Sequence, residues 1–334
     1  MDNLGVVAIG RNEGDRLIRC LTSLQKHLTT AVPIVYVDSG STDGSVAAAE
    51  ERGVHVIQLD MSVPFTGARA RNAGFDHLME KFPNTQYVQF IDGDCELLPG
   101  WIEAAIGTLE ASPELAIVFG RLRERFPEAS PYNQMADLEW QVPVGEADAC
   151  GGISLMRSQP IQAAGGFNPA MICGEEPELC IRLRQAGWKL ECIDADMALH
   201  DIDMHQFGQW WKRSIRGGWA VGEGFAMYGD TPEQYMKREN FSGWLWGAVV
   251  PLLAISLAPF TKGITLLLFL SYLPLAWKIY QYRSQQRGDG AKQAAIYAIF
   301  CVISKMPQVI GQVQYWLSRS RKEPATLIEY KGQS

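Results

Sequence analysis

None of the seven cysteines, at positions 20, 95, 150, 173, 180, 192 and 301, forms a Cys-x-x-Cys pair, and reduced cytosolic thiols are the simplest reading of that scatter. Cations are also in short supply. With 30 Lys and Arg against 37 Asp and Glu, the net charge of -7 offers no face-wide basic surplus to displace condensed counterions, which excludes bulk nucleic-acid binding. The start lacks a basic segment: Met1-Asp2-Asn3-Leu4 leads into an apolar run that stops at Gly10, so no secretory signal is expected and the amino-terminal domain should stay in the cytosol. What is present is a 47% hydrophobic, 20% charged composition, enough for one large core and a second region across 334 residues.

The most informative run is Phe90-Ile91-Asp92-Gly93-Asp94, a short apolar strand ending in two carboxylates around a glycine. Strand alternation sets Val88, Phe90 and Asp92 on one side, and Gly93 permits a turn that brings Asp94 to the same space. Two hard oxygen ligands suit Mg²⁺ or Mn²⁺ beside a diphosphate. Alone, the tripeptide reads first as a solvated turn, and the context decides. It is not a calcium loop, because a loop starting at Asp92 needs glycine where Leu97 stands.

The surrounding pattern alternates strand and helix. Val6 to Ile9, Ile34 to Val37, Val54 to Leu59, Tyr87 to Ile91 and Ala116 to Phe119 read as strands. Leu17, Ile18, Leu21, Leu24 and Leu28 repeat at helical spacing, Arg71 to Met79 is helical, and a helix from Trp101 to Leu109 follows Pro99 at its first turn. This order implies α/β architecture with a largely parallel, helix-covered sheet. Ligands of such sheets gather beyond the carboxyl ends of the strands, where Arg11, Asp38 and Asp92 emerge.

Other residues can share that crevice. Asp38 opens the small-residue loop Ser39-Gly40-Ser41-Thr42-Asp43-Gly44-Ser45 and could accept from a base N–H, while Thr42 or Asp43 caps the next helix. Arg69 and Arg71 are candidates for charge-assisted bonds to a diphosphate, with Arg71 preferred by position, or are solvated helix residues. Glu175 and Glu176 begin a helix whose dipole accepts acids without any catalysis, and one of them, preferably Glu176, can face an acceptor as general base. His200 and His205 follow the strand-like segment Trp188 to Ile193, and His200, next to Asp201, is a candidate metal ligand.

Taken in order, these motifs resemble the family 2 glycosyltransferases with the GT-A fold, over roughly positions 4 to 220. Ala8-Ile9-Gly10-Arg11-Asn12-Glu13 looks like the family's opening strand and turn, Val37 to Asp43 like its nucleotide loop, and Ala70-Arg71-Asn72 like the helix beside the diphosphate. Asp92-Gly93-Asp94 resembles its Asp-x-Asp element, and Glu175-Glu176 with Arg182 to Trp188 its Glu-Asp element and trailing Arg-x-x-x-Gly-Trp pattern. The resemblance implies a Rossmann-like GT-A domain over residues 1–230 that holds a nucleotide-diphospho-sugar through Arg11, Glu13, Asp38, Ser39, Arg71, Asp92 and Asp94. It implies base contact at Asp38, phosphate contact at Arg71, ribose or metal contact at Asp92, Mn²⁺ or Mg²⁺ at Asp94, and an acceptor hydroxyl at Glu176. The family usually carries aspartate where Glu176 stands. No Gln-x-x-Arg-Trp element occurs near Trp210-Trp211-Lys212-Arg213, so single addition is expected rather than polymerisation.

From Phe241 onward cations outnumber acids and long apolar stretches appear. A membrane region is expected over residues 240–334, with spans at 244–260 and 263–280, slightly short of the about 20 residues that cross a roughly 30 Å core. Trp244, Trp246, Trp277, Tyr280 and Lys278 sit where interfacial anchors belong. The positive-inside rule puts Lys278, Arg283, Arg287 and Lys292 in the cytosol. The stretch 294–317, interrupted by Lys305, Pro307 and Gln308 and followed by Arg319, Arg321 and Lys322, is expected to be interfacial or re-entrant with the carboxyl terminus inside. Residues 205–220 either lie along the membrane or pack beneath the catalytic domain.

The expectation is an inverting glycosyltransferase at the inner (plasma) membrane, its catalytic domain cytoplasmic, acting on a polyprenyl-linked, glycolipid or polysaccharide-precursor acceptor. Two alternatives stay open. A sugar-1-phosphate nucleotidyltransferase would want a glycine-rich phosphate loop that Gly10-Arg11-Asn12-Glu13-Gly14 does not match well, and a noncatalytic membrane-bound sugar-nucleotide sensor is hinted at only by the longer acid at 176.

Overall fold

The computed structural model describes residues 3–321 and 326–330. Met1, Asp2 and Lys322, named above, and the direction of the carboxyl terminus lie outside the described residues. The chain divides into two compact units, one of residues 1–126 and 139–202, the other of residues 127–138 and 203–334.

In the first unit the elements run β1 (Leu4–Gly10), α1 (Asp15–His27), β2 (Ile34–Asp38), α2 (Ser45–Glu51), β3 (His55–Gln58), α3 (Gly67–Lys81), β4 (Tyr87–Asp92), β5 (Cys95–Leu97), α4 (Trp101–Ala111) and β6 (Leu115–Glu124). After α5 (Pro131–Glu139), most of which belongs to the second unit, come β7 (Gly145–Glu146), β8 (Ser154–Arg157), α6 (Ser158–Ala163), α7 (Glu175–Gln185) and β9 (Lys189–His200). The strands form one nine-stranded sheet in the order β3-β2-β1-β4-β8-β6-β9-β5, with β7 on β9. From β3 to β4 every pairing is parallel. β8 runs antiparallel between β4 and β6, and β6 and β9 are parallel again. The sheet is thus mixed: the parallel half follows the expected alternation, and the reversal enters with β8.

Val6, Val7, Val35, Val37, Val88 and Phe90 are all fully buried, which requires cover on both faces and explains why these strands read as unbroken apolar runs. Each such side chain contributes roughly 1.5–3 kcal/mol by leaving water. β9 is twice the length expected, because Leu190, Cys192 and Met197 are buried while Asp194 and Asp196 between them face solvent. His200 is therefore the last residue of a strand and does not follow one.

The second unit is helical: α8 (Phe207–Tyr228), α9 (Lys237–Trp244), α10 (Val250–Ser256), α11 (Tyr272–Gln281), α12 (Ala291–Ile303) and α13 (Lys305–Arg321). α8 and α13 touch backbone to backbone: a Cβ on Gly218 would collide with the Gln308 carbonyl, and one on Gly311 with the Ile215 carbonyl. Among the described residues two helices are long and apolar enough to cross a membrane, Ile264–Gln286 of 23 residues and Ala291–Arg321 of 31 residues. The stretch 244–260 is helical only to Ser256 and is not one of them. Pro307 leaves the longer helix intact because it lies in the first turn of α13, where a missing N–H costs little.

Candidate active site

Strand register assembles the crevice. Gly10 of β1 pairs with Asp38 of β2, and Ile9 pairs with Asp92 of β4, so the loops after all three strands leave the sheet together. The Gly93 N–H donates to the Ile9 carbonyl at 2.7 Å, and β5 then pairs Cys95 with His200 of β9. A chain separation of more than a hundred residues is closed by that one register.

On the first side lies the small-residue loop. Asp38, 2% exposed, accepts from the Gly40 and Ser41 N–H groups at 2.9 and 2.8 Å and from the Tyr36 hydroxyl at 3.0 Å. Burial and the Asp38 charge push the Tyr36 hydroxyl far above its ordinary pKa. Gly40 turns the loop with φ of +81°, a conformation that favours glycine. Asn12 ties this loop to the turn after β1: its Oδ1 accepts from the Thr42 N–H at 2.7 Å and its N–H donates to Ser41 Oγ at 2.8 Å. Arg11 lies over the Phe65 ring at 4.5 Å, and Glu13 pairs with Arg16 at 3.0 Å. Neither capping candidate caps α2, whose N-cap is Gly44 with no side-chain cap bond; Asp43, one residue earlier, accepts from the Ser45 N–H at 2.9 Å. Arg69 points away from Arg71 and donates to the carbonyls of Val63 and Pro64 at 2.8 Å and of Asp60 at 3.0 Å, pinning the segment before α3.

The centre is an acid cluster around one cation. Arg71, only 4% exposed, meets Glu175 Oε1 through Nη1 and both Asp92 Oδ1 and Glu176 Oε1 through Nη2, each at 2.9 Å. Burial opposes the guanidinium charge, but Glu176, Asp92 and Glu175 together hold its pKa above the ordinary value. Removal from water lifts the Asp92 carboxyl above its usual range; Arg71 opposes this, and the Asp94 and Glu176 charges add to it. Exposure orders the acids: Asp92 keeps 33% of its side chain in solvent, Glu176 14% and Glu175 4%. A Cβ on Gly152 would collide with Arg71 Nη2 and lie 3.0 Å from Asp92 Oδ2 and 3.1 Å from Glu176 Oε1, so glycine lets the chain pass close against this cluster.

On the far side Asp94 Oδ2 stands 3.4 Å from His200 Nε2, and the Cys95 thiol donates to Asp94 Oδ1 at 3.4 Å. Ligand atoms of Asp94, Cys95 and His200 all fall within 4.8 Å of one another. A buried carboxylate beside an imidazole fits a borderline-hard divalent cation such as Mn²⁺, with the thiol orienting the carboxylate. The structure therefore brings Asp92, Arg71 and Glu176 into one cluster and Asp94 and His200 into a second next to it, with Arg11, Glu13, Asp38 and Ser39 on the adjoining loops. His205 is exposed and paired with Asp203 at 3.0 Å. The sequence reading passed over Glu175 as a structural partner, Gly152, Glu124 and Trp140.

Residues 6–161 match the family Glycosyl transferase family 2. That match takes in a little under half of the chain and is the likeness the sequence motifs led us to expect. It is 27% identical over 209 residues to a pre-mycofactocin glycosyltransferase of Mycobacterium tuberculosis, a match covering 59% of this chain and 42% of that one. It is 26% identical over 235 residues to an N-acetylglucosaminyl-diphospho-decaprenol L-rhamnosyltransferase of the same organism, covering 60% of this chain and 76% of that one. The chain thus matches about two-fifths of the length of the first relative. Among solved structures, the mannosyltransferase PcManGT from Pyrobaculum calidifontis, in complex with GDP-Man and Mn²⁺, superposes with a TM-score of 0.60 at 16% identity over 93% of this chain and 87% of that one. S. aureus TarS 1-349 does so with a TM-score of 0.52 at 13% identity, over 92% of each. These neighbours share the GT-A-like fold.

Proposed function

We propose that the chain transfers a sugar, with inversion, from a nucleotide-diphospho-sugar to a lipid-linked acceptor of the polyprenyl or glycolipid class. The observation that carries this is the convergence of two partly open acids, Asp92 and Glu176, on one guanidinium, directly beside the Asp94–His200 pair at the carboxyl ends of parallel strands. Glu176 accepts the proton of the acceptor hydroxyl, whose oxygen attacks the anomeric carbon as the nucleoside diphosphate departs on the opposite face. One displacement inverts the centre. Arg71 fixes the relative position of Asp92 and Glu176 and sets a positive charge next to the diphosphate. The 11–14 and 39–45 loops, with Asp38 buried beneath them, hold the nucleoside.

Asp94 and His200, with Asp92 nearby, would hold Mn²⁺ or Mg²⁺, which when bound neutralises charge on the departing diphosphate. A relative that acts on a decaprenol-linked sugar and two helices able to cross a membrane support the lipid-linked acceptor and an inner-membrane location with a cytoplasmic crevice.

A panel of nucleotide sugars read by Mn²⁺-dependent thermal stabilisation identifies the donor, since ligand binding raises the melting point by mass action. With that donor, Glu176→Gln is expected to keep the stabilisation and lose at least about a hundredfold in turnover with a hydroxyl acceptor, the ordinary scale of general-base catalysis. Unchanged turnover removes Glu176 as the base.

A further inference from the structure

Glu124 is buried at the end of β6, with no exposed side-chain surface, and no sequence motif points to it. Its Oε1 accepts from the Phe126 N–H at 3.1 Å and its Oε2 from the Ile202 N–H at 3.2 Å. Two backbone donors explain an acceptor at this position, but an amide or a hydroxyl serves a turn as well, and a carboxylate costs several kcal/mol to take out of water. Glu124 also faces His200. Glu124 Oε2 lies 3.7 Å from His200 Nδ1, while Nε2 of the same ring lies 3.4 Å from Asp94. The Trp140 ring packs against the imidazole with centroids 4.4 Å apart and planes tilted at 57°, so an aromatic contact restrains the ring between its two acidic neighbours. His200 Nδ1 is buried and has no hydrogen-bond acceptor among the described residues, which leaves the Glu124 carboxylate as the acid facing it.

We propose that Glu124 is a positioning residue for the cation site. It keeps the His200 proton on Nδ1, and thereby presents the Nε2 lone pair next to Asp94 to a divalent cation; Trp140 restrains the ring. Histidine ligands are generally oriented in this way by a carboxylate at the other nitrogen, and loss of that partner weakens metal affinity about 10–100-fold. The inference rests on the reading of Asp94 and His200 as cation ligands, and its tests separate the two.

Two measurements on the full-length chain decide it. In the wild-type protein labelled with ¹⁵N-histidine, long-range ¹H–¹⁵N spectra at mildly alkaline pH place the His200 proton on Nδ1; a proton on Nε2 overturns the proposal without any variant having to fold. In titrations with Mn²⁺ alone, followed by the EPR signal of the free ion, Glu124→Gln binds about 10–100-fold more weakly than wild type, approaching His200→Ala, while Glu124→Asp, which keeps the charge, recovers part of the loss. Wild-type Mn²⁺ affinity in Glu124→Gln, or equal losses in the Gln and Asp variants, overturns it. Retained Mn²⁺ binding in Asp94→Ala overturns the cation site itself, and this inference falls with it. Loss in Asp94→Ala together with no loss in Glu124→Gln leaves the cation site standing and removes only Glu124.

Discussion

At the scale of single residues the site is governed by one guanidinium shared among three acids. Taking Arg71 away leaves Glu175, almost wholly buried, without its cation, and breaking a buried pair from one side costs about 3–5 kcal/mol. Arg71→Met is expected to lose stability on that scale. The sign of its pH dependence follows from Asp92, whose carboxyl burial lifts and Arg71 opposes: without Arg71 it rises further above its unfolded value, the folded state binds its proton more readily, and the deficit shrinks as pH falls from about 7 to about 5. Urea unfolding of wild type and variant at both pH values checks this, and a deficit that grows in acid contradicts it. The choice between Glu175 and Glu176 was half legible in the sequence. Helix-start chemistry put both acids at the head of α7, and only packing shows Glu175 turned inward and Glu176 toward solvent. Glu124 was not legible at all, because an acid at a strand end reads as a solvated residue until the β6–β9 pairing of Glu124 with His200 encloses it.

At the scale of elements, the strands that position the site were readable where both faces are covered, and obscured where one face meets water. β1, β2 and β4 show as apolar runs, whereas the second half of β9 carries Asp194 and Asp196 and looks like a loop. The same limit affected α13, whose Pro307 suggested a break that a first-turn position does not cause. The segment before α3 yields a prediction. Arg69 makes three hydrogen bonds to the carbonyls of residues 60, 63 and 64, and the same segment brings Met61 against Gly40 of the small-residue loop. Arg69→Ala is expected to raise the donor KM about tenfold, the equivalent of one or two net hydrogen bonds, with little change in kcat. Steady-state kinetics separates the two constants; a fall in kcat at constant KM contradicts a role in ordering the donor side.

At the scale of the whole molecule, a mixed α/β unit and a helical unit are carried on one chain, and the helical unit leaves Leu252, Phe260, Ile264, Leu267 and Leu273 more than 60% exposed. The Ile264–Gln286 helix, 23 residues long and apolar, has the length and composition of a membrane span. The full chain is expected to sediment with membranes and to resist extraction by alkaline carbonate; recovery in the supernatant removes the membrane reading. The proposed chemistry is a single displacement at the anomeric carbon assisted by Glu176. Its most direct test supplies membranes containing the full chain with the identified nucleotide sugar, ¹³C-labelled at the anomeric carbon, and reads the configuration of the lipid-extracted product by NMR. Inverted product that disappears in Glu176→Gln is the predicted result; product of retained configuration, or product that persists undiminished in Glu176→Gln, contradicts it.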